Sequence, residues 1–149
     1  MSNSDEIIEK SRQRARQLGL PYTGAVLPAE AQALRESMGA QIVDVRSRAE
    51  LDFVGRIPGS VEIELKTYPG MQPNPNFLQQ LKQSVPIDAK VMFICRSGAR
   101  SHDAALAATA AGYGDVLNVL EGFEGDRDAG SHRNTVGGWR AAGLPWTQS

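Results

Sequence analysis

The sequence predicts an α/β protein: a three-layer fold with a central, mainly parallel sheet of about five strands flanked by helices. Three observations carry this. Strand-like and helix-like segments alternate along the chain, which favours parallel pairing through helical crossovers. Val91 to Ile94 is apolar at every position, as in a strand buried on both faces. The chain has 149 residues, 41% of them hydrophobic, and no internal repeat or linker long enough to divide it.

Each element follows from local chemistry. Residues 4–18 predict a helix: Ser4 can cap it, Asp5 and Glu6 suit its first turn, and Gly19 and Pro21 end it. Its apolar face (Ile7, Ile8, Ala15, Leu18) is thin, so residues 1–21 are expected to form a loosely docked helical extension to a domain spanning 22–149. Tyr22 to Leu27 reads as a short edge strand. Pro28 opens a helix to Met38 that Gly39 closes. Gln41 to Val45 is a strand, and Ser47 with Glu50 forms a capping-box pattern for a short helix. After a turn at 55–59, Val61 to Leu65 alternates like a half-buried strand.

The run KTYPGMQPNPN, 66–76, is rich in proline, glycine and asparagine and predicts a loop. A helix follows with a stripe of Phe77, Leu78, Leu81 and Val85. The strand ending at Ile94 leads to a helix over Arg100 to Ala111 that Gly112 closes. Val116 to Leu120 is the last strand, 122–138 is glycine-rich loop, and a short helix is expected around Trp139 to Ala142. Trp139 and Trp146 are expected to pack the C-terminus onto the core.

Charged residues make up 22% and the net charge is −1, which gives no electrostatic draw toward nucleic acid or a membrane surface. No apolar run reaches the roughly 20 residues that span a bilayer. The polar start lacks a signal-peptide core, so a cytoplasmic location is expected. Cys95 is the only cysteine, so it has no disulfide partner in the chain. His102 and His132 form no recognisable triad or metal set, Asp126 to Gly130 reads as an acidic turn, and no phosphate-binding G-x-x-x-x-G-K occurs.

Cys95 ends the apolar strand, where open α/β sheets bind ligands. The helix that follows aims its N-terminal amides and positive dipole end back at the sulfur. Gly98 lets the loop Arg96-Ser97-Gly98-Ala99 curl tightly, and inward N–H groups in such a curl make an anion nest. Arg96 and Arg100 add positive charge. Each feature favours a thiolate, hence an activated nucleophile. An inert buried cysteine would also sit at a strand end; the arginines, the glycine and the strand-to-helix position favour the reactive one.

The run C-R-S-G-A-R-S resembles the active-site loop of single-domain rhodaneses, which are sulfurtransferases. The resemblance covers about Thr23 to Trp146. It includes Val43-Asp44-Val45-Arg46, Glu50, Gly55-x-Ile57-Pro58-Gly59 with Ser60, Gly122-Phe123, and Gly138 to Trp146. It implies a rhodanese-like fold and a two-step sulfur transfer without metal or cofactor. Cys95 would take sulfur from thiosulfate or a similar donor as a persulfide. Cyanide, a thiol or a protein thiol would then remove it. Backbone amides of Arg96, Ser97, Gly98, Ala99 and Arg100 would hold the persulfide, the arginines would attract anionic donors, and Asp44, Arg46 and Ser101 would support the loop.

Two features depart from the family pattern. Arg56 stands where a histidine is usual, and faces solvent on this reading. The 66–76 loop is long, so that Tyr68, Pro69 and Met71 either shape the pocket rim or form a tolerated insertion. Two rivals remain. A cysteine phosphatase or arsenate reductase of the same fold would use a C-x5-R loop, against the C-x4-R of Cys95 to Arg100. A non-catalytic rhodanese module would bind a partner, although such modules often lack the cysteine kept here.

Overall fold

A computed structural model describes residues 3–67 and 70–148. Helix α1 (Asn3–Leu18) precedes the short strand β1 (Gly24–Val26) and helix α2 (Pro28–Met38). Strand β2 (Gln41–Asp44), helix α3 (Arg48–Val54) and strand β3 (Val61–Glu62) follow. A hairpin of β4 (Lys66–Thr67) and β5 (Gln72–Pro73) leads to helix α4 (Phe77–Ser84). Strand β6 (Val91–Ile94), helix α5 (Ala99–Ala110) and strand β7 (Val116–Val119) complete the order.

Five strands pair in the order β1-β7-β6-β2-β3, all parallel. The short connections bring the helices back over both faces, giving three layers. Strand β6 lies inside the sheet and its four residues are buried, as its unbroken apolar run requires. Its side chains alternate between two cores. Val91, Phe93 and Cys95 join Phe77 and Leu81 of α4 and Ala104, Ala105 and Ala108 of α5. Met92 and Ile94 join Ile7 of α1, Ala31 and Leu34 of α2, and Phe123 and Trp139. Cys95 thus continues the alternation onto the α5 face, just beyond the carboxyl end of an inner strand.

Several sequence expectations are met closely. Helix α2 has the expected bounds, and Gly39 closes it at φ +68°. Ser47 and Glu50 form the capping box, with Ser47 Oγ accepting from Glu50 N–H. Strand β1 lies at the sheet edge.

Other expectations are corrected. Helix α1 is firmly docked: Ile7, Ser11 and Ala15 are buried. Arg14 forms a two-pronged ion pair with Glu30 at 2.6 and 3.0 Å and donates to Ala25 O at 3.0 Å. Arg14, a polar residue, adds to the docking of the thin apolar stripe, whose Ile7 sits in the core. Strand β3 stops at Glu62, although Ile63 stays buried. The 66–76 segment contains the β4–β5 hairpin rather than loop alone. Residues 139–143 form turns, not a helix, because Trp139 is fixed by its own indole N–H to Pro145 O (2.8 Å). Trp139 is fully buried and Trp146 packs edge-on to Phe123, so both tryptophans pack the C-terminus as expected. Arg56 is partly buried and spends its charge on Asp52 (2.5 Å) and Glu62 (3.5 Å), not on open solvent.

Candidate active site

The site is built on the loop that leaves β6. The turn at 122–125 grips the loop by its carbonyls: Phe123 N–H donates to Cys95 O at 2.8 Å, and Glu124 N–H to Arg96 O at 2.9 Å. Both carbonyls are thereby engaged by the 122–125 turn and not by the loop itself. Only glycine fits at the contact. Gly122 has φ +66°, and a Cβ there would lie 2.5 Å from Cys95 O and 2.6 Å from Arg96 C and O.

Cys95 is 1% exposed. Its Sγ accepts from Gly98 N–H at 3.1 Å and lies 3.4 Å from Ser101 Oγ. Of the amides expected to surround the sulfur, Gly98 is the one aimed at Sγ itself. Among the described residues, the N–H groups of Ser97, Ala99 and Arg100 find no acceptor. They belong to the loop and to the first turn of α5, where helical geometry leaves donors unpaired. Gly98 takes φ +110°, as the tight curl requires.

Behind the sulfur runs a buried polar string that the sequence did not announce. Ser101 Oγ donates to Asn118 Oδ1 at 2.6 Å, and Asn118 Nδ2 donates to Gly98 O at 3.3 Å. Tyr22 lies beyond. Burial pushes its hydroxyl up from the ordinary value, against a lowering hydrogen bond with Asn118. Tyr22 Oη is 2.7 Å from His102 Nδ1. His102 is therefore tied to Tyr22, not free in solvent. The available signal was a lone asparagine inside the apolar strand Val-Leu-Asn-Val.

Arg100 differs most from its expected role. Its Nη1 and Nη2 donate to Glu50 Oε1 and Oε2 at 2.6 and 2.8 Å, so its charge is already neutralised. Burial, the largest influence, lowers its pKa, but hydrogen bonds and charge from Glu50 outweigh this and raise it. Burial likewise pushes the Glu50 carboxyl upward, while Arg100 and Ser47 together hold it below the usual carboxylate range. Arg96 is exposed and pairs with no acid among the described residues.

Asp44 and Arg46 are fully buried and paired, with Arg46 Nε and Nη2 on the Asp44 carboxylate at 2.9 and 2.7 Å. The Arg46 guanidinium stacks over Phe123, 4.1 Å from the ring centroid. It therefore braces the same turn that holds Cys95 O. A groove of about 550 Å³ borders this loop, lined by α3 residues with their cap, by Gly70 and Met71, and by Arg96 and Arg100. Met71 thus lies at the rim, while Tyr68 and Pro69 fall outside the described residues. Among the described residues no cluster of metal-binding side chains occurs and no helix is long and apolar enough to cross a membrane.

Fold and site define a class: parallel α/β proteins that present one thiol on a tight loop at a helix start. The chain belongs to the rhodanese-like family, whose domain model matches residues 27–129. It is similar to the crystal structure of Rv0390 from M. tuberculosis, with 43% identity and a TM-score of 0.77, over 86% of this chain and 99% of that one. It is 35% identical over 109 residues to the uncharacterized protein RP600 of Rickettsia prowazekii, covering 72% of this chain and 82% of that protein. A protein of Allochromatium vinosum named as a sulfurtransferase is 32% identical over 93 residues, 62% of this chain and 76% of its own length.

Proposed function

We propose that the chain is a sulfurtransferase that carries sulfane sulfur on Cys95, taken from thiosulfate or a similar donor. In the first step the Cys95 thiolate attacks the outer sulfur of the donor. A sulfur–sulfur bond forms, the bond within thiosulfate breaks, and its electron pair leaves on sulfite. The charge that sat on the thiolate then sits on the outer sulfur of a persulfide. In the second step cyanide, a thiol or a protein thiol attacks that outer sulfur and restores the thiolate. No electron acceptor is consumed.

One observation carries this reading: Gly98 N–H is on Sγ while, among the described residues, the neighbouring N–H groups of Ser97, Ala99 and Arg100 have no acceptor. Unpaired donors in the loop and helix start that carry the sulfur suit a second, anionic sulfur bound to it. Arg96 and Ala99 are exposed and Ser97 and Gly98 half-buried, so the loop is the cover between Sγ and solvent. Cys95 is 1% exposed, so on this reading the loop must open for a donor to reach Sγ. The Glu50–Arg100 pair and the six-residue loop favour sulfur transfer over phosphate chemistry, in which the loop arginine clamps a tetrahedral oxyanion.

Weighing the intact chain tests the proposal. Incubation with thiosulfate should add the mass of one sulfur atom, cyanide should remove it, and Cys95→Ser should add none while keeping its unfolding midpoint. Failure to take up sulfur from thiosulfate and from organic persulfides alike overturns the reading. Hydrolysis of an aryl phosphate by the same preparation would point to the phosphatase alternative.

A further inference from the structure

Behind Cys95 one hydrogen has more claimants than it can serve. Ser101 Oγ lies 2.6 Å from Asn118 Oδ1, 3.1 Å from Gly98 O and 3.4 Å from Cys95 Sγ. A hydroxyl carries a single hydrogen and two lone pairs. The shortest contact takes the hydrogen, so Asn118 holds it and Ser101 turns a lone pair to the sulfur. A lone pair there suits a thiol S–H, whereas a thiolate needs the Ser101 hydrogen itself. Whatever loosens the hold of Asn118 on Ser101 therefore favours the charged sulfur.

That hold is set from farther out. Asn118 Nδ2 donates to Gly98 O at 3.3 Å, which leaves Oδ1 for Ser101. Asn118 also hydrogen-bonds the Tyr22 hydroxyl and acts to lower its pKa, the influence of a donor, so the amide nitrogen faces that hydroxyl. Tyr22 is buried, and its Oη lies 2.7 Å from His102 Nδ1. His102 is half-buried, so the string ends at solvent. A neutral His102 with a bare Nδ1 takes the Tyr22 hydrogen. Every donor then points one way, from sulfur through Ser101, Asn118 and Tyr22 to the imidazole. A protonated His102 donates to Tyr22 instead. The Tyr22 hydrogen must then turn toward the Asn118 amide nitrogen, donor against donor.

We propose that Tyr22 and His102 are positioning residues for Cys95. An imidazolium at 102 reverses the Tyr22 hydrogen, loosens Asn118 and turns the Ser101 hydrogen to the sulfur, so thiolate and imidazolium favour one another. The inference rests on Cys95 as the reacting group of the proposed function. The elements packed around the string add little charge to it. Strands β6 and β7 and the 19–23 linker carry no charged side chain. Lys82 of α4, Arg96 of the loop and Asp103 beside His102 are exposed, and Arg100 is neutralised by Glu50.

Cys95 is the only cysteine, so the ultraviolet absorbance of its thiolate, referenced to the Cys95→Ser chain, reads the sulfur without any donor. In the native chain this absorbance should follow a two-component pH curve, with one component where histidines titrate. The thiolate-to-thiol ratio should be about fivefold higher with His102 charged than neutral. His102→Asn keeps an acceptor for Tyr22 but does not titrate, and should give a one-proton curve. Tyr22→Phe keeps the buried ring, cuts the string, and should do the same. His132→Asn, at the other histidine, should leave both components in place. A one-proton curve in the native chain overturns the string. So does a histidine component that survives Tyr22→Phe, because a charge acting through space needs no hydroxyl. Two components in a chain that takes up sulfur from no donor uphold the string and overturn Cys95 as sulfur carrier.

Discussion

Replacing Glu50 by glutamine tests how the loop is held. Glu50 accepts from Ser47 N–H at 3.1 Å, from Ser47 Oγ at 3.0 Å, and from both Nη atoms of Arg100 at 2.6 and 2.8 Å. An amide keeps the shape but turns one acceptor into a donor and removes the charge. One charge-assisted bond is lost, worth about 1.5–3 kcal/mol, and the survivor becomes weaker. The Glu50 and Arg100 side chains are 20% and 13% exposed, so solvent screens the pair only in part. The expected cost is about 2 kcal/mol, or a fall of roughly 6 °C in Tm for a chain of this size. Urea unfolding should show it as a midpoint lower by about 1 M with an unchanged slope.

The acid limb supplies a second check. The Glu50 carboxyl is depressed in the folded chain, so its contribution is complete above its unfolded value of about 4.3. It is lost as pH falls through the folded value. The stability gap between the native chain and Glu50→Gln should therefore be full at neutral pH and close below about pH 4. A difference under about 0.5 kcal/mol at pH 7 would refute the assignment of Glu50 as the loop's tether.

Two further changes probe the loop from its other sides. Gly122→Ala combines a left-handed φ of +66° with a Cβ 2.5 Å from Cys95 O. It should cost more than about 2 kcal/mol and slow sulfur loading, measured by intact mass. Gly143→Ala, at φ +76° with open space around it, should cost only about 1 kcal/mol and leave loading alone. Asn118→Ala strips the acceptor from Ser101 Oγ and a donor from Gly98 O, and should lower stability by about 2 kcal/mol in urea titration. A midpoint equal to that of the native chain would show that the Ser101–Asn118 bond carries no weight.

What could be read from the sequence follows a physical division. Contacts encoded by near neighbours were legible: the Ser47–Glu50 box, the Gly39 stop, and the unbroken apolar run of β6 each act within a few residues. The position of Cys95 was legible for the same reason, since strand end, glycine and helix start lie within six residues. Contacts between distant segments were not. Arg14 reaches Glu30, Arg100 reaches Glu50, and Asn118 reaches Ser101, and polar residues at such separations look like solvated surface until the chain is folded. This division matters for the chemistry. A local motif can supply a thiol and the amides around it, but distant residues set the charge left over near it. Glu50 consumes the charge of Arg100, so among the described residues the cation next to Cys95 in the loop that pairs with no acid is Arg96, which is exposed. On the proposed function, donor attraction falls to the exposed Arg96. Arg96→Ala should raise KM for anionic donors more than it lowers kcat, and added salt should shrink that effect, as screening of an exposed charge requires. An equal fall in kcat with KM unchanged would move the role of Arg96 from attraction to the transfer step itself.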